Sequence, residues 1–239
     1  HPCNWGTIKK IAKKNNLKII NDNCHAYGAK INGDKNYSTK FADIVTQSYH
    51  PVKNFTTGEG GSILTNNKTL DTKIKILRSH GVIRKNKKKP WYYEMVKLGY
   101  NYRITDIQCA LGISQIKKLD KFVKRRKQIA KIYFKNFKNI ENISLPKIKA
   151  GNSHAYHLFP LLINFKKFKI NKEIFLKKLK AKNINLQVHY IPLYRQPYYK
   201  KNYNFKNTDF PISEKFYYQE VSLPIYFKLK DKEVLFVIK

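Results

Sequence analysis

The stretch Ile44-Val45-Thr46-Gln47-Ser48-Tyr49-His50-Pro51-Val52-Lys53-Asn54 runs into Thr57-Gly58-Glu59-Gly60-Gly61, and its reading decides the fold. Residues 44–49 form an apolar, strand-like run. Pro51 withholds a ladder donor and helps stop the strand. The glycines supply backbone that bends tightly. Lys53 is thereby placed near the end of a buried strand. A desolvated lysine loses its proton well below its ordinary value of about 10.4 and can then attack a carbonyl, as a Schiff-base enzyme requires. On its own Lys53 would read as one more solvated loop lysine. Its neighbours argue otherwise.

Working outward, Trp5 to Lys14 predicts an amphipathic helix with Trp5, Ile8, Ile11 and Ala12 on one face. Asn15-Asn16 breaks it, and Leu17 to Asp22 reads as a short strand. Further strands are expected at Ile44–Tyr49 and Gly61–Thr65, with a helix at Leu70–Arg78. Such alternation predicts α/β layering around a largely buried sheet. A lysine-rich loop, Val82–Leu98, carries Pro90-Trp91-Tyr92-Tyr93. Thr105-Asp106-Ile107-Gln108 then has the capping-box pattern, with Thr105 as N-cap. In the helix it opens, Ile107, Ala110 and Leu111 share an apolar face flanked by Ile113 and interrupted by Ser114. Asp120 to Phe137 reads as a long basic helix. The polar segment 139–152 has the character of a hinge, so residues 1–138 are expected to belong to a larger domain and 139–239 to a smaller α/β domain. In the latter, strands are predicted at His157–Ile163 and Ile184–Tyr190, a helix at Lys172–Leu179, an aromatic loop from Tyr194 to Tyr203, and a terminal helix near Asp231.

Composition sets the outer limits. The chain has 239 residues, 42% of them hydrophobic, enough for a packed core. No apolar run approaches the roughly 18 residues of a membrane span. The chain opens on His1-Pro2-Cys3-Asn4-Trp5, with neither a signal peptide nor an initiator methionine, and reads as beginning within a longer protein. Cys3, Cys24 and Cys109 lack metal-ligand spacing and cannot all pair, so reduced thiols and a cytoplasmic location are expected, with no metal. The net charge of +34, from 49 Lys+Arg against 15 Asp+Glu, raises a different class of function, a basic nucleic-acid-binding protein. Tyr194, Tyr198, Tyr199 and Tyr203, interleaved with Arg195, Lys200 and Lys201, have the composition of a base-stacking surface. The same residues equally suit a substrate-pocket or packing loop. Because the basic residues are spread along every segment instead of one stripe, no specific nucleic-acid partner is expected.

Asp22 ends its strand at the carboxyl edge, where open α/β sheets present ligand-binding residues. Alone it is a turn-former. Paired with Lys53 it suggests pyridoxal phosphate, which needs a lysine for its aldehyde and a carboxylate to keep its ring nitrogen protonated. His25, three residues on, can pack beside the ring, or serve only as a structural histidine.

Three motifs then carry a family resemblance: Asp22-Asn23-Cys24-His25-Ala26; Ser48…Lys53…Thr57-Gly58-Glu59-Gly60-Gly61; and Leu98-Gly99-Tyr100-Asn101-Tyr102-Arg103-Ile104-Thr105-Asp106-Ile107-Gln108. In order and separation they resemble the DegT/DnrJ/EryC1/StrS sugar aminotransferases. Shorter stretches, Trp91-Tyr92-Tyr93-Glu94, Cys109-Ala110-Leu111-Gly112, Gln187-Val188-His189-Tyr190-Ile191-Pro192 and Ser222-Leu223-Pro224, are similar to the members that aminate UDP-linked sugars. The resemblance implies an α/β, fold-type I, pyridoxal 5'-phosphate enzyme lacking its N-terminal part, with a smaller C-terminal domain. It implies that Lys53 holds the cofactor as a Schiff base and shuttles protons, that Asp22 pairs with the pyridine nitrogen, that His25 lies against the ring, and that Ser48 holds the phosphate. Asn101 would reach the phosphate of the neighbouring subunit's cofactor, making a homodimer. Arg103 and His189 would touch substrate. The implied reaction moves an amino group from glutamate to C4 of a UDP-linked 4-keto-6-deoxy-N-acetylhexosamine; another nucleotide-linked keto sugar is the alternative. The family's dehydratase branch, which carries histidine in place of the lysine, fits less well. The family has a further N-terminal segment that binds phosphate and shapes the sugar pocket, so this chain is expected to be inactive by itself.

Overall fold

A computed structural model describes residues 1–84 and 89–239; within the lysine-rich loop, residues 85–88 lie outside the described residues. The chain divides into two compact units, His1–Phe122 with Ala150–Ala155, and Val123–Lys149 with Tyr156–Lys239.

The first unit opens with α1 (Trp5–Lys14), whose first turn is capped by Asn4 accepting from the Thr7 N–H at 3.4 Å. Next come β1 (Ile20–Asp22), β2 (Lys30–Ile31), α2 (Tyr37–Phe41), β3 (Ile44–Ser48), β4 (Gly61–Leu64) and α3 (Lys68–Arg78). β5 (Val82–Ile83), β6 (Glu94–Met95) and α4 (Asp106–Ile116) follow. β3 is the central strand: it pairs parallel with β1 and antiparallel with β4. Gly61 sits where a Cβ would come within 2.5 Å of the Gln47 carbonyl, so the β3–β4 turn admits no side chain there. Trp5, Ala29, Tyr37 and Ala155 make a small core, with Ile8, Ile19 and Phe41 packed on it. Ile11, expected on the packed face of α1, is exposed instead.

The capping box at α4 forms as the sequence predicts: the Gln108 N–H donates to Thr105 Oγ1 at 3.3 Å and the Thr105 N–H to Gln108 Oε1 at 3.0 Å. α4 docks through Gln108, whose Nε2 donates to the Glu59 carbonyl at 2.9 Å, and through Gly112, where a Cβ would meet Thr57 Cγ2 at 2.8 Å. The Gln108–Gly112 side faces the glycine-rich turn, and the apolar stripe is turned away from it. Ile107 is consequently 84% exposed.

α5 (Leu119–Phe137) carries the chain into the second unit, burying Val123, Arg126, Ile129, Ala130, Tyr133 and Phe137 at helical spacing. These residues belong to the second compact unit, which begins at Val123. After β7 (Ile143–Ser144), β8 (Asn152–Ser153) returns to the first unit and pairs with β2. Then come β9 (Phe159–Ile163), α6 (Lys172–Ala181), α7 (Pro197–Asn202), α8 (Pro211–Gln219), β10 (Glu220–Leu223) and α9 (Asp231–Ile238). β10, β9 and β7 form an antiparallel sheet in that order, with Val221 opposite Leu161. Ile129, Tyr133, Phe159, Leu161, Val221 and Val234 close its core. The Arg126 guanidinium is buried too, donating to the carbonyls of Tyr156, His157 and Ile225 at 2.7–3.1 Å. Burial lowers its pKa to about 10.

The strand predicted at Ile184–Tyr190 does not form. Gln187 makes a single bridge to Ser222. Two residues on, the His189 N–H goes to the Glu220 carboxylate at 2.8 Å, a side chain taking the place a ladder carbonyl would hold. The stretch 194–203 is in part helical: Leu193–Arg195 is a 3₁₀ turn, and α7 follows it.

Candidate active site

Parallel pairing sets the site. Asp22 stands opposite Thr46, so both lie on one face at the carboxyl end of β1 and β3, and Ser48 follows two residues later on that face. The Asp22 carboxylate turns back on its own loop, Oδ1 accepting from the Cys24 N–H at 3.1 Å. Bonds from the Cys24 side chain and main chain hold the Asp22 carboxyl below the usual carboxylate range, helped by the charges of His25 and Lys53. Burial, the Asp22 bond and the Asp22 charge push the Cys24 thiol up, while Lys53 opposes them. The charge of Lys53 thus bears weakly on both Asp22 and Cys24.

The loop carrying Lys53 is closely tied. The Lys53 N–H donates to the His50 carbonyl at 3.0 Å, and the His50 N–H reaches Ser48 Oγ at 3.5 Å. His50 Nε2 lies 3.7 Å from Glu59. Tyr49 is fixed from both sides, its N–H donating to the Gly60 carbonyl at 2.8 Å and its own carbonyl accepting from Thr57 at 3.0 Å. Behind the loop, Phe55 packs against Tyr27 and Tyr49 with ring centroids 4.7 and 4.8 Å apart. Lys53 itself is half-buried.

Asn54 escaped the sequence reading. It is buried, and its Nδ2 donates to the Tyr27 carbonyl at 2.8 Å and the Ala155 carbonyl at 3.3 Å. It thus ties the Lys53 loop to the segment that follows Asp22. Thr46, 4.0 Å from the Cys24 sulfur, escaped too, since its alignment with Asp22 needs the strand register.

The remaining expected residues are spread along the chain. His25 is exposed beside Asp22 and acts on it by charge. Asn101 and Arg103 belong to an exposed segment that runs along the end of α3, where Asn101 bridges Ser79 and the Tyr102 N–H donates to the Arg78 carbonyl at 2.9 Å. Gly99 is required there, because a Cβ would meet the Gly81 nitrogen at 2.1 Å. His189 belongs to the second unit.

The donor set fits pyridoxal phosphate. A half-buried primary amine suits an aldehyde, a carboxylate kept ionised suits a protonated ring nitrogen, and a hydroxyl at a strand end suits a phosphate oxygen. Among the described residues no group of three or more His, Cys, Asp or Glu side chains can hold a metal ion, and no helix is long and apolar enough to cross a membrane.

The chain is 41% identical over 233 residues to the UDP-4-amino-4,6-dideoxy-N-acetyl-beta-L-altrosamine transaminase of Campylobacter jejuni strain 81-176, matching 96% of this chain and 59% of that protein. It superposes on Helicobacter pylori PseC, an aminotransferase involved in the biosynthesis of pseudoaminic acid, with a TM-score of 0.90 at 32% identity, covering 99% of this chain and 62% of that one. It also superposes on the Streptococcus pneumoniae protein Spr1654 in its PLP-form, with a TM-score of 0.87 at 26% identity over 99% of this chain and 64% of that one. The chain thus spans about three fifths of the length of these relatives. Its fold is the fold-type I architecture of pyridoxal phosphate-dependent sugar aminotransferases. The family model covers residues 1–239, and the chain belongs to the DegT/DnrJ/EryC1/StrS aminotransferase family.

Proposed function

We propose that this chain carries the lysine-bearing part of an aminotransferase that moves an amino group from glutamate to C4 of a UDP-linked 4-keto-6-deoxy-N-acetylhexosamine. The observation that supports this most is the placement of Asp22, Ser48 and the Lys53 loop around the carboxyl end of the parallel β1–β3 pair, in a chain 41% identical to a transaminase of that sugar class. When bound, pyridoxal phosphate supplies an electron sink for the carbon that exchanges the amino group. Lys53 would hold the cofactor through its Nζ, and the same atom would serve as acid and base. Asp22 keeps a negative charge toward the ring nitrogen. Because its carboxyl is held below the usual range, that charge persists through neutral pH and is lost only on the acid side. With the cofactor bound, Ser48 Oγ would donate to its phosphate and His25 would stand beside its ring. Asn101 serves the cofactor of a second copy, so the working unit is a homodimer. Arg103 and His189 contact the sugar nucleotide. A nucleotide-linked substrate places the reaction in the cytoplasm.

Borohydride reduction after loading with pyridoxal phosphate tests the assignment. The label should be fixed on the peptide containing Lys53 and be absent in Lys53→Ala. Label trapped on another lysine in the unmodified protein would overturn it. Asn101 has its own test. Mixing Asn101→Ala with Lys53→Ala protomers should restore part of the activity that each lacks, and no recovery counts against a shared site.

A further inference from the structure

Lys53 and Asp22 stand on separate segments of the first unit, and a buried carboxamide joins those segments. On the Asp22 side, the Asn23 N–H donates to the Thr46 carbonyl at 3.0 Å, which fastens the turn to β3. The Ala26 N–H then donates to the Asn23 carbonyl at 3.0 Å and the Ala29 N–H to the Ala26 carbonyl at 2.8 Å. The Tyr37 hydroxyl holds the Asn23 side chain, donating to its Oδ1 at 3.2 Å. On the other side, the Lys53 loop leaves β3 at Tyr49. Asn54, next to Lys53 and only 4% exposed, spans the gap: its Nδ2 donates to the Tyr27 carbonyl at 2.8 Å and to the Ala155 carbonyl at 3.3 Å. A ring is closed in this way, from β3 through Asn23 and Tyr27 to Asn54, and back through Lys53 and Tyr49.

Both partners of Asn54 are carbonyl oxygens, which only accept, so the amide nitrogen must face them. Asn54 Oδ1 is buried and accepts no hydrogen bond. An apolar side chain of similar volume would fill this place without leaving a buried acceptor unbonded. What the asparagine contributes is therefore its N–H donors. We infer that Asn54 is a positioning residue, whose two bonds fix the Lys53 loop against the segment after Asp22 and so set where the lysine amine stands relative to the carboxylate. The tie between the segments is independent of the chemistry; its use in placing the amine for amino-group transfer rests on the function proposed above. Rate is sensitive to such placement, because a displacement of about 1 Å at a reacting group can cost about a hundredfold.

Hydrogen exchange on the full chain reads the tie. Asn54→Leu fills the space and carries no donor. Asn54→Asp keeps the shape, carries no donor while ionised and gains one when protonated. At neutral pH both should speed exchange of the loop amides, the Lys53 N–H among them, about tenfold, with α3 and the second unit unchanged. From about pH 8 down to about pH 5, Asn54→Asp should recover part of that protection and Asn54→Leu should not, since burial raises a carboxyl above its ordinary value of about 4. The unmodified chain, carried through the same range, shows what other titrations contribute. In the holoenzyme, Asn54→Leu should lower kcat about tenfold or more with KM for the sugar nucleotide within about twofold, while borohydride still fixes the cofactor on Lys53. Faster exchange throughout α3 as well as the loop would make Asn54 a packing residue and overturn the inference, as would equal exchange of the two variants at acid pH. Selective loop exchange with unchanged kcat overturns the placing of the amine. An unmodified holoenzyme that forms no aminated sugar sinks the proposed function instead, and leaves the exchange result standing.

Discussion

Phe159, Leu161 and Val221 of the second unit are sealed from solvent, whereas Ile20, Ile63 and Ile107 of the first are at least half exposed, although both units set strands and helices in the same apolar-and-polar rhythm. Periodicity fixes which side of an element is apolar. Whether that side is covered depends on what stands opposite. In the second unit α5 and α9 cover the β10–β9–β7 sheet. In the first, the open side of the β1–β3–β4 sheet carries Ile20, Asp22, Thr46, Ser48 and Ile63, because Asp22 pairs with Thr46 and Thr46 with Ile63. The uncovered apolar residues therefore share a face with the polar groups assigned to the cofactor. A closed core gives the second unit rigidity; an open face gives the first one access.

The widest separation between the units should appear on truncating a core side chain. Phe159→Ala removes a ring packed against Tyr133 at 5.0 Å and Phe134 at 5.3 Å, and should cost about 3–5 kcal/mol. Ile63→Ala, on the open sheet face, should cost within about 0.5 kcal/mol. Urea unfolding, followed by a probe in each unit, checks both. Equal costs would show that the open face is packed in solution.

High pH sharpens the contrast from another side. Burial raises the Tyr37 phenol to about 12 in the first unit and pushes Tyr133 up further in the second, where its hydroxyl donates to the Pro224 carbonyl at 2.8 Å. A phenol whose folded pKa stands above its unfolded value of about 10 stabilises the fold fully below pH 10, and that contribution is lost as pH rises toward the folded value. Tyr37 should therefore weaken the first unit above pH 10, by less than the loss expected for Phe159→Ala. In the second unit the lowered Arg126 pKa works against Tyr133 over the same range, so Tyr133 is read there from the difference between the parent and Tyr133→Phe, the parent losing more stability as pH rises. A first-unit midpoint that stays level between about pH 10 and 12 would contradict the burial of the Tyr37 hydroxyl.

Much of this was legible beforehand because the determinants are local. The capping box at Thr105 and Gln108, the strands at 44–48 and 61–64, the long helix α5 and the positions of Asp22, Ser48 and Lys53 follow from neighbouring residues. What escaped depends on partners distant in sequence. Asn54 is explained only by the carbonyls of Tyr27 and Ala155, and Arg126 only by carbonyls brought from two other places in the second unit, residues 156–157 and 225. The stretch 184–190 has strand periodicity, yet Glu220 takes the His189 N–H. The apolar stripe on α4 is legible in the sequence, but the side through which the helix docks is set by the distant glycine-rich turn.

A smaller effect is expected from the cap of α4. Thr105→Ala removes the oxygen that accepts the Gln108 N–H, and it also loosens Gln108, whose Nε2 holds the Glu59 carbonyl beside the Lys53 loop. A cost of about 1 kcal/mol is expected, with hydrogen exchange rising in the first turn of α4 and not in the second unit. Exchange unchanged in that turn would show that the docking through Gly112 holds the helix without its cap.

The smallest effect of all should come from Ile107, and it tests the comparison most sharply. Ile107 is the most apolar position of the predicted stripe, and a packed isoleucine truncated to alanine would cost about 2–5 kcal/mol. At 84% exposure there is almost no buried surface to lose, and alanine is the better helix former by a few tenths of a kcal/mol. Ile107→Ala should therefore leave the unfolding midpoint of the isolated chain within about 0.5 kcal/mol of the parent, at low protein concentration where copies do not meet. Raising the concentration then separates two cases. If the stripe is an interface between copies, as a homodimer would allow, the parent gains stability with concentration and Ile107→Ala gains less. If the two midpoints stay together at every concentration, the stripe takes no part in self-association. A large loss for Ile107→Ala at high dilution would mean that α4 docks through its apolar stripe, and that the contrast between the two units is weaker than their exposed residues imply.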